Sequence, residues 1–184
     1  MKFLKFLPHC IIIGLLAMSV QYIQQFANGQ YFVGWIVFQA WALYFLAGCT
    51  VAGGKKSFAG WICGIVAACL IIILGLKLGV EKGNLLGFNG FPVAVFVISF
   101  SVILFEKVKG LDFIPAWFVA AGAVFAFSNV EKDLLTNALT VLISGTTGLL
   151  YGYLTILFRG IYSKLFEASE AASEEAPDAV AAAE

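Results

Sequence analysis

Long uncharged runs divided by short charged breaks set the plan of the chain. From Tyr31 to Gly54 no side chain is charged, and a helix of that length, at about 1.5 Å per residue, would cross the roughly 30 Å of a bilayer's hydrocarbon. Trp35, Trp41 and Tyr44 decorate the run, Gly48, Gly53 and Gly54 gather at its far end, and Lys55-Lys56 closes it as a cytoplasmic anchor would. The same layout returns between Phe113 and Asp133. At a spacing of 80, Phe38 falls on Phe118, Ala40 on Ala120 and Phe45 on Phe125.

The other runs predict helices over Phe6–Phe26, Ser57–Leu76, Leu85–Phe105, Phe113–Phe127 and Leu134–Tyr162, with the Tyr31 segment as the second. The pattern therefore predicts an all-α integral membrane protein with six transmembrane helices. The opening residues, with Lys2, Lys5 and an Ala17-Met18-Ser19 triplet, also fit a secretory signal, but a retained first helix is preferred. Pro92 suits the first turn of the fourth helix, with Asn89-Gly90 as the turn before it. The fifth run is short for a full crossing.

Two rows of small residues recur at every fourth position. Gly60, Gly64 and Ala68 mark the third helix, and Ser144, Gly148 and Gly152 mark the sixth. Small side chains let helix backbones approach closely in lipid, where hydrophobicity gives no drive to associate. The third and sixth helices are thus expected to pack centrally. Small-residue faces left over on a slender bundle favour a homo-oligomer.

Charge supplies the orientation. With six spans, the side of the termini holds Lys2, Lys5, Lys55, Lys56, Lys107, Lys109, Arg159 and Lys164, against Lys77, Lys82 and Lys132 opposite. The positive-inside rule then puts both ends in the cytoplasm. If helices one to three are copied in four to six, the odd number inserts the second copy upside down. Such inverted repeats hold solute sites near the midplane, where the halves meet.

Composition agrees, with 61% hydrophobic and only 12% charged residues and a mean hydropathy of +0.96. The formal charge of zero hides a basic membrane part, residues 1–166, and an acidic, Ala-rich segment, 167–184, expected to be a disordered cytoplasmic tail or a frayed end of the last helix. Cys10, Cys49, Cys63 and Cys69 lie in apolar runs without paired spacing, and the chain has one histidine, His9. Buried thiols and an interfacial histidine are the plain readings, and no metal or cofactor is expected.

No span carries an acid, lysine or arginine at its centre, which argues against proton- or sodium-driven transport and leaves no acid-base pair for an intramembrane enzyme. The interiors offer neutral groups. Thr50, Asn89, Ser128 and Asn129, near the breaks, are candidate pore-lining residues, with Phe45 and Phe125 as a candidate hydrophobic gate. The competing reading has these side chains bonding to their own backbone or packing in the core.

The motifs GCTVAGGKKSFAG, FIPAWFVAAGAVFAFSNVEKDL and GLLYGYL resemble a family of small bacterial inner-membrane proteins known as domain of unknown function 1097. The resemblance runs from about Gly34 to Arg159 and implies a multi-span protein of the bacterial cytoplasmic membrane; it brings no established activity. The leading expectation is a channel or facilitator for a small, mostly neutral solute, surrounded by membrane lipid and without nucleic acid. The alternative is a membrane scaffold or assembly subunit that transports nothing.

Overall fold

The structure, a computed structural model, describes residues 2–27, 31–80 and 90–181, with side chains over 6–27, 31–79 and 90–166. These residues form α1 (Lys2–Phe26), α2 (Gly34–Leu46), α3 (Val51–Val80), α4 (Phe91–Leu104), a 3-10 turn (Phe105–Lys107), α5 (Ile114–Phe127) and α6 (Leu134–Ala181). No strand occurs among them. Three stretches, Phe6–Phe26, Val51–Gly79 and Leu134–Phe166, are long and apolar enough to cross a membrane. Leu70, Ile73, Phe96, Phe100 and Leu150 point outward, a surface suited to hydrocarbon. This is a helical membrane protein.

Pro8 lies inside α1, and Pro92 and Pro115 occupy the first turns of α4 and α5, where a missing N–H costs nothing. Leu85 to Asn89, expected to open the fourth helix, lie outside the described residues, as do Glu81 and Lys82. The last helix runs on past Tyr162 to Ala181.

The uncharged stretch from Tyr31 to Gly54 is not one helix. α2 stops at Leu46 after 13 residues, and α3 begins five residues later at Val51. The stop has a local cause. Gly48 and Cys49 both adopt left-handed backbone, with φ of 89° and 57°. Gly48 N–H donates to Phe45 O at 3.0 Å and Cys49 N–H to Tyr44 O at 3.2 Å, the paired bonds that end a helix in a Schellman turn. Thr50 then caps the next helix, its hydroxyl accepting from Gly53 N–H at 3.0 Å. At about 1.5 Å per residue α2 and α5 each rise roughly 20 Å, short of the hydrocarbon thickness.

By compactness the chain divides into Met1–Ser19 with Leu154–Glu184, and Val20–Tyr153. In the first unit, His9 packs edge-on against Tyr162 with ring centroids 5.1 Å apart, and Phe6 and Phe166 extend the aromatic contact.

In the second unit α3 is the central helix, lying against α5 and α4, while α2 touches both α5 and α3. α3 and α5 run the same way, since Gly60 faces Phe113 O and Ala116 while Gly64 faces Trp117 and Ala120. α2 and α6 also run the same way. Ser144 meets Val33, Gly148 meets Val37 and Ala40, and Gly152 meets Tyr44. α3 and α6 oppose one another, with Val51 to Phe58 beside Thr146 to Tyr153 at one end and Leu76 beside Leu134 at the other.

The two rows of small residues do not face each other. Each receives a short helix instead: the α3 row takes α5, and the α6 row takes α2. The physical reason is the depth of approach, since Gly64 lies on Trp117 O and Gly148 on Val37 O, contacts that a Cβ at either glycine would abolish. α3 and α6 do meet, but through Trp61. Its fully buried indole lies on Gly145 and donates from Nε1 to Val141 O at 3.1 Å.

Candidate functional site

The connections after the two short helices are closed in different ways. Beside the Gly48–Cys49 turn, Gly53 brings the start of α3 directly onto Ala47 O. At the other connection, Asp133 caps α6 by accepting from Thr136 N–H at 2.8 Å, and hydrogen bonding to Thr136, side chain first and backbone second, holds its carboxyl below the usual carboxylate range. Inside that connection the end of α5 is tied down by side chains. Ser128 Oγ donates to Val124 O at 2.8 Å, and Asn137 Nδ2 donates to Val124 O at 3.1 Å and to Ser128 Oγ at 2.9 Å.

Asn137 is 1% exposed, yet its carbonyl Oδ1 has no hydrogen-bond partner. The amide orientation is fixed chemically, because a backbone carbonyl only accepts and so must face the NH2 group. Val124 O already receives Ser128 N–H at 3.0 Å as well. Oδ1 is left as a bare acceptor in a low-dielectric interior, a costly arrangement unless something supplies a donor.

Asn137 lies on the wall of a recess of about 540 Å³ between α3, α4, α5 and α6. Ile72, Ile73, Leu76, Phe91 and Phe125 make its apolar wall, and Ser128, Glu131 and Lys132 make its polar side. Lys132 Nζ donates to Ser128 O at 3.0 Å, and Glu131 Oε1 accepts from Asp133 N–H at 2.8 Å. Both charges are thus turned onto nearby backbone.

At the other end of the bundle, Lys56 Nζ and Asp112 Oδ2 form an ion pair at 2.7 Å across a second recess, of about 360 Å³, lined by Leu46, Ala47, Gly48, Gly53 and Phe113. The Lys56 bond is the chief cause that lowers the Asp112 pKa, helped by Gly110 N–H. This bridge brings the α2–α3 turn and the α4–α5 connection to one end.

The sequence of the family described as protein of unknown function (DUF1097) matches residues 10–160. The chain belongs to that family. No curated protein and no solved structure matches it. In this DUF1097 member the matched region takes in α2 to α5, the Asn137 recess and the Lys56–Asp112 bridge, and it confirms the resemblance carried by the glycine and aromatic motifs.

The residues singled out in the DUF1097 sequence fall in separate places. Ser128 and Phe125 share the Asn137 recess. Thr50 is a helix cap, and Asn129, exposed, donates back to Ala126 O at 3.3 Å. Asn89 lies outside the described residues. Phe45 packs on Trp41 at the end of α2. That end lies beside Phe113, at the start of α5, and Phe125 stands twelve residues further along, roughly 18 Å of helix. The two phenylalanines are not brought together. Among the row residues, Ala68 and Ser144 are fully buried, and Ser144 Oγ accepts from Val33 N–H at 2.9 Å.

Sequence reasoning missed Asn137. It sits one turn into a long apolar helix, and only its spacing of nine from Ser128 across a turn could have pointed to it. Three further buried polar atoms among the described residues, His9 Nδ1, Ser57 Oγ and Trp41 Nε1, are also without partners. All four cysteines are free thiols, and among the described residues no three His, Cys, Asp or Glu side chains gather to hold a metal.

Proposed function

We propose that this chain is a facilitator for a small, mostly neutral solute, built from six spans as two inverted three-helix repeats in the bacterial cytoplasmic membrane. Both termini face the cytoplasm in this reading, and lipid and further copies of the chain surround each protomer. Transport proteins of inverted-repeat design mark their solute site with short apolar segments at corresponding positions of the two halves. The observation that carries the reading is the matched seating of α2 and α5.

Val37 and Ala40 stand 80 before Trp117 and Ala120, and Gly64 stands 84 before Gly148. Gly64 packs on Trp117 O and Ala120, and Gly148 packs on Val37 O and Ala40. Gly60 on Phe113 and Ser144 on Val33 repeat the relation at the same two spacings. Even Trp61 and Gly145, which touch each other, are 84 apart, as residues on a pseudo-two-fold axis would be. The step from 80 to 84 falls in the connections, 47–50 against 128–133. Parallel pairing of α3 with α5 and of α2 with α6 is what alternating spans require.

Neutrality of the solute follows from the interior. The Asn137 recess has an apolar wall, and no span carries an acid, lysine or arginine at its centre, so a full charge would be expensive along the path. A scaffold is the second reading, favoured by the backbone contacts at Gly64 and Gly148, which leave no passage between those helix pairs. Swelling of proteoliposomes in isosmotic glycerol or urea separates the two. The facilitator gives swelling above protein-free vesicles, and rates equal to those of bare lipid favour the scaffold.

A further inference from the structure

We propose that a recess of about 400 Å³ between α2, α3 and α6 seats one anionic phospholipid, with Lys55 at its phosphate and an acyl chain along its apolar wall. Such a lipid site would serve a facilitator and a scaffold alike.

Tyr44 is held in this recess by two glycines. Its ring lies on Gly54 of α3 and Gly152 of α6, so close that a Cβ at either would run into it. Because both glycines meet on Tyr44, their chain neighbours Lys55 and Tyr153 stand at the same level of the bundle, close to the Gly48–Cys49 turn. α3 and α6 run in opposite directions, so Phe58 and Thr146 stand one to two turns further from that turn. The recess therefore has a polar end and an apolar length.

Four side chains on its wall carry polar groups. Thr146 donates to Leu142 O of its own helix, as hydroxyls on membrane helices commonly do. The Tyr44 and Tyr153 phenols can donate, and Lys55 can only donate and brings a full positive charge. No carboxylate lines this recess, and at the same end of the bundle Asp112 is engaged by Lys56. The Asn137 recess differs, since Glu131 there stands beside Lys132. Charge complementarity selects a negative group at Lys55, whose flexible stem lets the ammonium reach head-group level. Val51, Phe58, Leu149 and Leu150 select hydrocarbon next to it. A phosphodiester joined to acyl chains offers both in that order.

Native mass spectrometry of the full chain in detergent, titrated with dioleoyl phosphatidylglycerol or dioleoyl phosphatidylcholine, reads the affinity of the first bound lipid. The two lipids share their chains and differ in net head-group charge. Phosphatidylglycerol is expected to bind about 5-fold tighter, and Lys55→Gln to bring the two within about 2-fold. Lys109→Gln removes a lysine of the α4–α5 connection outside the recess and should keep the full preference. Leu150→Trp fills the apolar length and should weaken both lipids. All three positions are exposed, and circular dichroism checks that the fold is kept.

Loss of the preference in Lys55→Gln alone, with weaker binding of both lipids in Leu150→Trp, supports the site. Equal affinities in the wild type, a preference kept in Lys55→Gln, an equal loss in Lys109→Gln, or unchanged binding in Leu150→Trp overturns it.

Discussion

The indole of Trp61 lies against Gly145, and its Nε1 donates to Val141 O at 3.1 Å one turn earlier on the same helix. A large and a minimal side chain thus complete each other where α3 crosses α6. Gly145→Ala places a methyl into the ring and is expected to lower stability by about 1–3 kcal/mol. Trp61→Ala leaves the space empty and should cost about 3–5 kcal/mol, whereas Trp61→Phe keeps most of the volume and loses chiefly the hydrogen bond, about 1 kcal/mol. Thermal unfolding in detergent, followed by circular dichroism, gives the ranking.

Gly64 and Gly148 make equivalent backbone contacts, so their substitutions should behave alike. Gly64→Ala and Gly148→Ala each push a methyl against a carbonyl on a neighbouring helix, with an expected loss of about 1–3 kcal/mol. Gly14 and Gly122 are helical glycines with open space where a Cβ would go, and alanine there should be neutral or mildly stabilising. If all four variants melt together, close approach is not what these glycines provide.

Thr50 ends the break between α2 and α3 by capping Gly53 N–H. Thr50→Ala should cost about 1 kcal/mol, and Thr50→Ser or Thr50→Asp should restore most of it. Hydrogen exchange at the first turn of α3 is the local measurement, and faster exchange there, with the end of α3 unchanged, is the expected result.

The Lys56–Asp112 bridge gives a pH dependence whose sign is set by the lowered pKa of Asp112. A carboxyl with a depressed native pKa contributes stability that is present above its unfolded value, near 4, and is lost as pH falls through the native value. The bridge therefore persists at neutral pH and loosens in acid. Asp112→Asn should remove this part of the acid dependence while leaving the part due to Asp133, whose pKa is lowered by Thr136. A melting profile for Asp112→Asn that falls from neutral pH to acid by as much as the wild type's would assign the effect elsewhere.

Much of the fold was legible in the sequence because lipid imposes long apolar runs. Phe113–Phe127 and Leu134 were expected as helix limits and Ile114–Phe127 and Leu134 are found. The break at Gly48 was hidden, because an apolar run carries no polar punctuation and Gly48-Cys49-Thr50 was absorbed into one long span. Gly as the turn and Thr as the next cap was the available signal. The glycine rows were legible as packing faces, but not their partners, since spacing along one helix says nothing of which helix arrives. Asn137 lay hidden for the same reason: its importance depends on Val124 and Ser128, fixed only once α5 and α6 turn back on each other.

Side-specific labelling of single cysteines, with Cys10, Cys49, Cys63 and Cys69 replaced by serine, reads the inverted arrangement without any knowledge of the solute. Lys55→Cys and Lys109→Cys should react with a membrane-impermeant maleimide from the cytoplasmic side alone, and Lys132→Cys from the opposite side alone. Labelling of Lys55→Cys and Lys109→Cys from different sides, or of Lys132→Cys from the same side as both, contradicts the two-repeat architecture and the facilitator drawn from it.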